Sequence, residues 1–299
     1  MLETKPAKVL LGVGDEDVEG ALAYAVAEAE RRGVGVHLLH VVPGVAVGSV
    51  GIEPSMMVIE GDALRDRGSQ ILEEVADRIE HELGELPVST ELHAGPVVPA
   101  ITGTSRNAAV VVLQRQRMGR PGRIPTLSVT NAVAAHSDVP VVAVPADWHP
   151  DPDRDRSVVV GLGDVAFSVQ VVRTGLEEAR RRGGRVRFVH AWHHADSYDD
   201  VILAGSATAA YDDRVREELE SALAPLQAEF PDVPTELVSL RTRPADLLVA
   251  ESATAGVLVL GRHRSSMPWG PHLGSVVRAV LRESSCPVVV VDPIPATSS

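Results

Sequence analysis

Lys8-Val-Leu-Leu-Gly-Val-Gly-Asp15 returns downstream as Val158-Val-Val-Gly-Leu-Gly-Asp164, with Gly12 and Gly161 lying 149 residues apart. Each stretch is a short, unbroken apolar run closed by glycine, the pattern of a strand buried on both faces in a parallel sheet. The match extends outward from these two runs. Glu28-Ala-Glu-Arg-Arg-Gly33 answers Glu178-Ala-Arg-Arg-Arg-Gly183 at an offset of 150, as His40 answers His190. Further on, Val110-Val-Val-Leu113 matches Val257-Leu-Val-Leu260, and Val139-Pro-Val-Val-Ala-Val144 matches Cys286-Pro-Val-Val-Val-Val291, both at an offset of 147. A repeat of this length is a duplicated domain rather than a solenoid unit.

Each copy alternates strand and helix. The spacing predicts a helix over 21–32, with Leu22, Ala25, Val26 and Ala29 on one stripe and Gly33 as its stop. Second strands are expected at 36–42 and 186–191. The stripes Ile71, Leu72, Val75, Ile79, Leu83 and Val215, Leu219, Leu223, Leu226 mark second helices. Third strands at 88–93 and 235–240 and fourth strands at 110–113 and 257–260 follow. A loop, a last helix and a fifth strand complete each copy. Such alternation implies βαβ crossovers and an α/β, doubly wound sheet covered on both faces. The expected domains are 1–148 and 156–294. Between them Asp147-Trp-His-Pro-Asp-Pro-Asp-Arg-Asp155 has two prolines and no apolar period, and reads as a linker.

Composition narrows the function. The chain has 299 residues, 44% of them hydrophobic and 23% charged, as expected of folded globular protein. Its formal charge of −13 opposes nonspecific binding to nucleic acid or to an anionic membrane. Lys5 and Lys8 are the only lysines, which excludes a P-loop lysine farther along. The lone Cys286 makes neither an intrachain disulfide nor a cysteine zinc cage. No apolar run reaches the roughly 18–20 residues needed to cross a bilayer. Residues 1–13 show no secretory signal pattern, so a cytoplasmic location is expected.

The loop after the fourth strand of copy two carries the chemistry. It reads Leu260-Gly-Arg-His-Arg-Ser-Ser-Met-Pro-Trp-Gly-Pro-His-Leu-Gly-Ser-Val276. Gly261 ends the strand, and Gly274-Ser275 begins the last helix. Glycine lets backbone amides approach a ligand closely, and a helix N-terminus suits phosphate. Ser275 can cap the helix or bond a phosphate oxygen, while Arg262, His263 and Arg264 add donors. A plain turn with an N-cap is the alternative reading. The site lies where strands one and four end, the usual ligand position in doubly wound sheets.

These residues resemble the universal stress protein family in its tandem, two-domain form. Gly261, two residues, Arg264, nine residues and Gly274-Ser275 fit the family's Gly-x2-Gly-x9-Gly-Ser/Thr frame, with arginine at the second glycine. The resemblance covers both copies. It implies in each a five-stranded parallel sheet of order 3-2-1-4-5 with helices on both faces. It further implies ATP, with Mg accompanying it, bound by copy two through Gly163, Asp164, Ala191, Leu260, Gly261, Arg262, Arg264, Gly274, Ser275 and Val276. Ala191, like Val41 in copy one, would pack near the adenine. Gly14 and Gly163 stand where the family has an aspartate, with Asp15 and Asp164 one place later. Copy one has Gln114, Arg117 and Leu127-Ser128 in place of the glycines, so family-style ATP binding is not expected there. Arg115, Arg117, Arg120 and Arg123 on that loop form either an anion patch or a solvated loop.

The resemblance implies a nucleotide-regulated sensor in the stress response that binds rather than turns over. Its fifth strands would pair with one another, and a homodimer of chains also fits. The alternative is a non-nucleotide interaction protein whose sites have decayed in both copies. A pyrophosphatase-type hydrolase or ligase would want Ser-Gly-Gly-x-Asp-Ser after strand one, where this chain has Gly161-Leu-Gly-Asp-Val-Ala166. His193, His194 and Asp196 fall short of a zinc set and read as loop residues. His40 and His190 read as packed or backbone-bonded groups, and Cys286 as a small buried hydrophobe. Trp148 falls in the linker, and Trp269 either covers a ligand or anchors its loop. Arg31-Arg32 and Arg180-Arg181-Arg182 read as charge complementing helix C-termini.

Overall fold

The computed structural model describes residues 7–15, 18–43, 54–115, 129–163, 169–192, 206–262 and 273–292, with the backbone alone for 54–60 and 206–212. The chain divides into unit 1, Met1–Pro150, and unit 2, Asp151–Ser299.

Unit 1 runs β1 (Lys8–Val13), α1 (Glu19–Arg32), β2 (Val36–Val42), α2 (Pro54–Leu83), β3 (Val88–Ala94), α3 (Val97–Ser105), β4 (Ala108–Arg115), α4 (Val129–His136) and β5 (Val141–Pro145). Its strands lie in the order β3-β2-β1-β4-β5, every neighbouring pair parallel. Unit 2 runs α5 (Pro152–Asp155), β6 (Ser157–Leu162), α6 (Val169–Arg181), β7 (Arg185–Trp192), α7 (Ser206–Ala228), β8 (Thr235–Arg241), α8 (Pro244–Glu251), β9 (Val257–Gly261), α9 (Ser275–Glu283) and β10 (Val288–Val291). Its order, β8-β7-β6-β9-β10, repeats that of unit 1, again all parallel. The order turns at β1 and β6. Right-handed crossovers therefore place α1 and α2 on one face and α3 and α4 on the other, and α1 packs on α2 as α3 does on α4.

The repeated glycine of the opening strands has a packing cause. A Cβ at Gly12 would overlap Leu113 Cδ2, and one at Gly161 would overlap Leu260 Cδ2. In each unit, strand four lays a leucine across strand one. Gly33 stops α1 as expected, with φ 63°, and Gly183 adopts φ 55° after α6.

Two expectations are corrected. The arginine runs do more than complement helix ends. Glu28 is 1% exposed, and Arg31 Nε and Arg32 Nε approach its carboxylate at 3.2 and 2.5 Å. In unit 2 the buried Glu178 meets Arg181 Nη2 at 2.6 Å and Arg182 Nε at 3.4 Å, and Arg182 also pairs with Asp155. A buried carboxylate needs such partners to remain charged, and a sequence pattern does not show that it is buried. The linker, for its part, is not wholly irregular. Asp151 accepts hydrogen bonds from the amides of Asp153 and Arg154 ahead of Pro152, so Pro152–Asp155 forms a helical turn. Trp148, also read as linker, packs edge-to-face on Tyr24 with ring centroids 5.4 Å apart.

Candidate functional site

Parallel strands joined by a helix force that helix to run back along the sheet. The N-terminus of α9 therefore lies at the carboxyl end of β9, beside the end of β6. Gly161 lets Leu260 close against β6, and Gly261, the last residue of β9, pairs with Val291. Gly274 is the N-cap of α9 at φ −61° and ψ 161° and has no side chain to cap the helix. Ser275, the first helical residue, is exposed, and Val276 is half-buried. Gly163 follows β6 and is exposed; a Cβ there would meet nothing within 4 Å. Ala191 is half-buried near the end of β7. The fold thus brings Gly163, Gly261 and the start of α9 to one end of the unit 2 sheet. Asp164 and Arg264 lie outside the described residues, as do His193, His194, Asp196, His263 and Trp269.

Arg262 is placed differently from what the loop suggests. Its amide donates to the Val291 carbonyl at 2.9 Å, continuing the ladder with β10. Its guanidinium is largely buried and meets Asp292 Oδ2 at 2.6 Å. The side chain is drawn toward β10 and its charge is compensated there, so it is not held out as an uncompensated cation for an anion.

Unit 1 fills the matching place from within. Gln114 stands on β4 where unit 2 has Gly261, and its Oε1 accepts a hydrogen bond from the Ala21 amide at 3.2 Å. Ala21 lies in the first turn of α1, whose amides have no intrahelical acceptor. The N-cap residue Val18 supplies no side-chain bond. Gln114 therefore caps α1 from 93 residues away. Thr130 Oγ1 donates to the Gln114 carbonyl at 3.3 Å, tying α4 to the same point. The glycine-to-glutamine difference was legible in the sequence; the cap was not, because no local pattern links residues so far apart. Arg117, Arg120, Arg123, Leu127 and Ser128 lie outside the described residues.

The paired histidines also diverge. His40 Nδ1 lies 2.9 Å from the Val13 carbonyl, and its Nε2 is 3.9 Å from Asp15 Oδ1. His190 Nδ1 is buried and has no hydrogen-bond partner among the described residues. Among the described residues no three histidine, cysteine or acidic side chains come together as metal ligands. None of the described helices is long and apolar enough to cross a membrane.

The model of the universal stress protein family matches this chain twice, over residues 6–145 and 156–292. A universal stress protein of Mycobacterium tuberculosis is 31% identical over 297 residues, covering 96% of this chain and 98% of its own. A second from that organism is 29% identical over 299 residues, covering 94% of each chain. Among solved structures, a universal stress protein from Archaeoglobus fulgidus superposes with a TM-score of 0.68 at 18% identity, covering 97% of both chains. That likeness shows the same fold. Two matches in one chain, each spanning a complete strand–helix alternation, make this a member of the universal stress protein family with two of its domains in tandem.

Proposed function

We propose that unit 2 binds an adenine nucleotide, ATP with Mg, at the carboxyl ends of β6 and β9, and that the chain acts in the stress response as a sensor or regulator. The observation that carries this is the contrast at one position. Unit 1 places the Gln114 side chain on the first turn of α1, where unit 2 has Gly261 with no side chain at all. Gly274 at the N-cap of α9 supports the same reading, since the amides of that helix receive no cap from it and suit a phosphate. Gly163, Asp164, Ala191, Leu260, Gly261, Arg264, Gly274, Ser275 and Val276 are the proposed contacts, with Arg262 left to its pair with Asp292. The protein binds rather than turns over its nucleotide. A cytoplasmic setting accords with the single thiol, Cys286. Assembly belongs to the same proposal. β5 and β10 each end the sheet of their own unit, and valine-rich edges favour pairing between units or between chains.

Calorimetry with Mg-ATP tests the reading. Wild-type protein should bind in the micromolar to millimolar range, and Gly274→Arg should abolish binding by filling the cradle. No heat from the wild type rejects it. The Arg262–Asp292 pair favours the second reading, an interaction protein without nucleotide, because it compensates a charge that the loop would otherwise offer.

A further inference from the structure

Three strands of unit 1 bring an ammonium, a hydroxyl, an imidazole and a carboxylate into one chain of hydrogen bonds. His37 on β2 pairs in register with Leu10 on β1 and Ser89 on β3, and Glu91 stands opposite Leu39. Alternation along the strands turns Lys8, His37, Ser89 and Glu91 to the same face as Gly12, where a Cβ would lie 3.8 Å from Ile101 of α3. His37 Nδ1 lies 2.9 Å from Ser89 Oγ, and its Nε2 lies 3.1 Å from Glu91 Oε2. Lys8 Nζ donates to Ser89 Oγ at 2.8 Å, and His93 Nδ1 stands 3.7 Å from the other oxygen of Glu91. β3 ends the sheet of unit 1, and the set is open to solvent there: the side chains of His37 and Glu91 are 22% and 38% exposed.

The two ends of this chain fix the direction of the protons within it. An ammonium only donates, an ionised carboxylate only accepts, and a neutral imidazole does one at each nitrogen. Glu91 therefore takes the hydrogen of His37 Nε2, which leaves Nδ1 as an acceptor. Ser89 Oγ accepts from Lys8 and turns its single proton to His37 Nδ1. A hydroxyl bonded to an imidazole that a carboxylate orients is the arrangement of a nucleophile and its base. Unit 2 meets the same place with fixed charges. Arg187 and Glu236 are the register pair there, 2.8 Å apart, and Arg187 Nε reaches Glu251 on α8 at 3.0 Å. An ion pair is thus enough to hold the duplicated frame, and packing alone does not call for serine and histidine at this place.

We propose that Ser89 is a nucleophile that takes acyl groups from activated esters, with His37 as its base, an activity separate from the nucleotide reading of unit 2. Ser89 Oγ attacks the ester carbonyl carbon while its proton passes to His37 Nδ1. The carbonyl electron pair moves onto oxygen, where the nearby Lys8 ammonium stabilises the charge. That pair then re-forms the carbonyl, the bond to the leaving oxygen breaks, and His37 gives its proton to that oxygen. Water attacks the Ser89 ester by the same route; His37 takes its proton and returns it to Ser89 Oγ, releasing the carboxylic acid. The sum is ester plus water to acid plus alcohol. Glu91 is a positioning residue that keeps the imidazole in the tautomer the step requires. At an open sheet edge the donor is a small ester with a good leaving group.

Labelling of the full chain with an alkyl fluorophosphonate tests this, the adduct being located by peptide mass spectrometry. Hydrolysis of 4-nitrophenyl acetate is followed in parallel. The reagent bonds a serine oxygen with loss of fluoride, and it passes over a serine that has no base. Native wild type should carry the adduct at Ser89, and heat-denatured chain should not. His37→Gln should slow labelling and hydrolysis by about 10²–10⁴-fold. Glu91→Leu should lower kcat with KM unchanged, and Glu91→Gln, whose amide oxygen still accepts from Nε2, should recover part of it. Native wild type without an adduct at Ser89 overturns the proposal, a readout that needs no variant to fold. Undiminished labelling of His37→Gln overturns it as well. Should His37→Gln fail to fold, the two Glu91 variants carry the test of the base, and an unchanged kcat in Glu91→Leu counts against it in the same way.

Discussion

Replacing Arg182 by methionine removes a charge while keeping most of the side-chain volume. The Arg182 side chain is fully buried; it pairs with Asp155, and its Nε lies 3.4 Å from Glu178 Oε2. Glu178 is itself only 3% exposed at its side chain, whereas Asp155 is 28% exposed. Without Arg182, Glu178 keeps Arg181 but loses a buried charge partner. Breaking a buried pair in this way costs about 3–5 kcal/mol. Hydrogen exchange read peptide by peptide separates unit 2 from unit 1. Protection of the β6 and β7 peptides should fall by about 10²–10⁴-fold, and the melting transition of unit 2 should drop by about 10–15 °C. Adding Glu178→Leu should recover part of the loss, because the buried carboxylate that Arg182 helped to compensate goes with it. Arg32→Met in unit 1 should cost less, since Arg32 is 18% exposed at its side chain where Arg182 is fully buried, so its removal opens a path for water to the buried Glu28 carboxylate. A loss below about 1 kcal/mol for Arg182→Met, typical of an exposed pair, would refute the reasoning.

Gln114→Ala should cost about 0.5–2 kcal/mol by leaving the Ala21 amide without its cap, seen as faster exchange in the α1 peptides and unchanged exchange in unit 2. Gly261→Gln brings the unit 1 side chain to the matching place in unit 2; ATP binding should disappear in calorimetry while the circular dichroism spectrum is preserved, and wild-type affinity would remove Gly261 from the site. Glu229 accepts hydrogen bonds from Arg173 on α6, Nη1 at 2.5 Å and Nη2 at 3.1 Å, which hold its carboxyl below the ordinary value of 4.5 against a small opposing effect of burial. A depressed folded value means stability present above the unfolded value and lost as pH falls through the folded one. Wild type and Glu229→Gln should therefore converge in acid melts and separate at neutral pH; parallel curves would contradict this.

The repeat and its glycines carried most of the architecture. Gly12 and Gly161, Gly33 and Gly183, and the unbroken apolar runs are local signals with local causes, so strands and helix stops follow from them, while the strand order came with the family resemblance. What was hidden depends on pairs distant in sequence. Asp155 reaches Arg182 across 27 residues, which turns an arginine run read as complementing a helix end into part of a buried ion cluster. Gln114 reads as a lost glycine, and only the fold reveals it as the acceptor for α1. His40 and His190 occupy the same place in the repeat, yet the Nδ1 of one meets a backbone carbonyl and that of the other does not, a difference the matching sequence does not show. At the candidate site the two bounding glycines were legible. The turn of Arg262 toward Asp292 was not, since it depends on where β10 lies.

The glutamine that serves α1 has a consequence for the chain as a whole. An acceptor carried in the backbone's own sequence has a fixed local concentration and is never diluted or competed away. The first turn of α1 thus carries its own acceptor wherever the chain goes, and unit 2, with Gly261 at the matching place, carries no such side chain there.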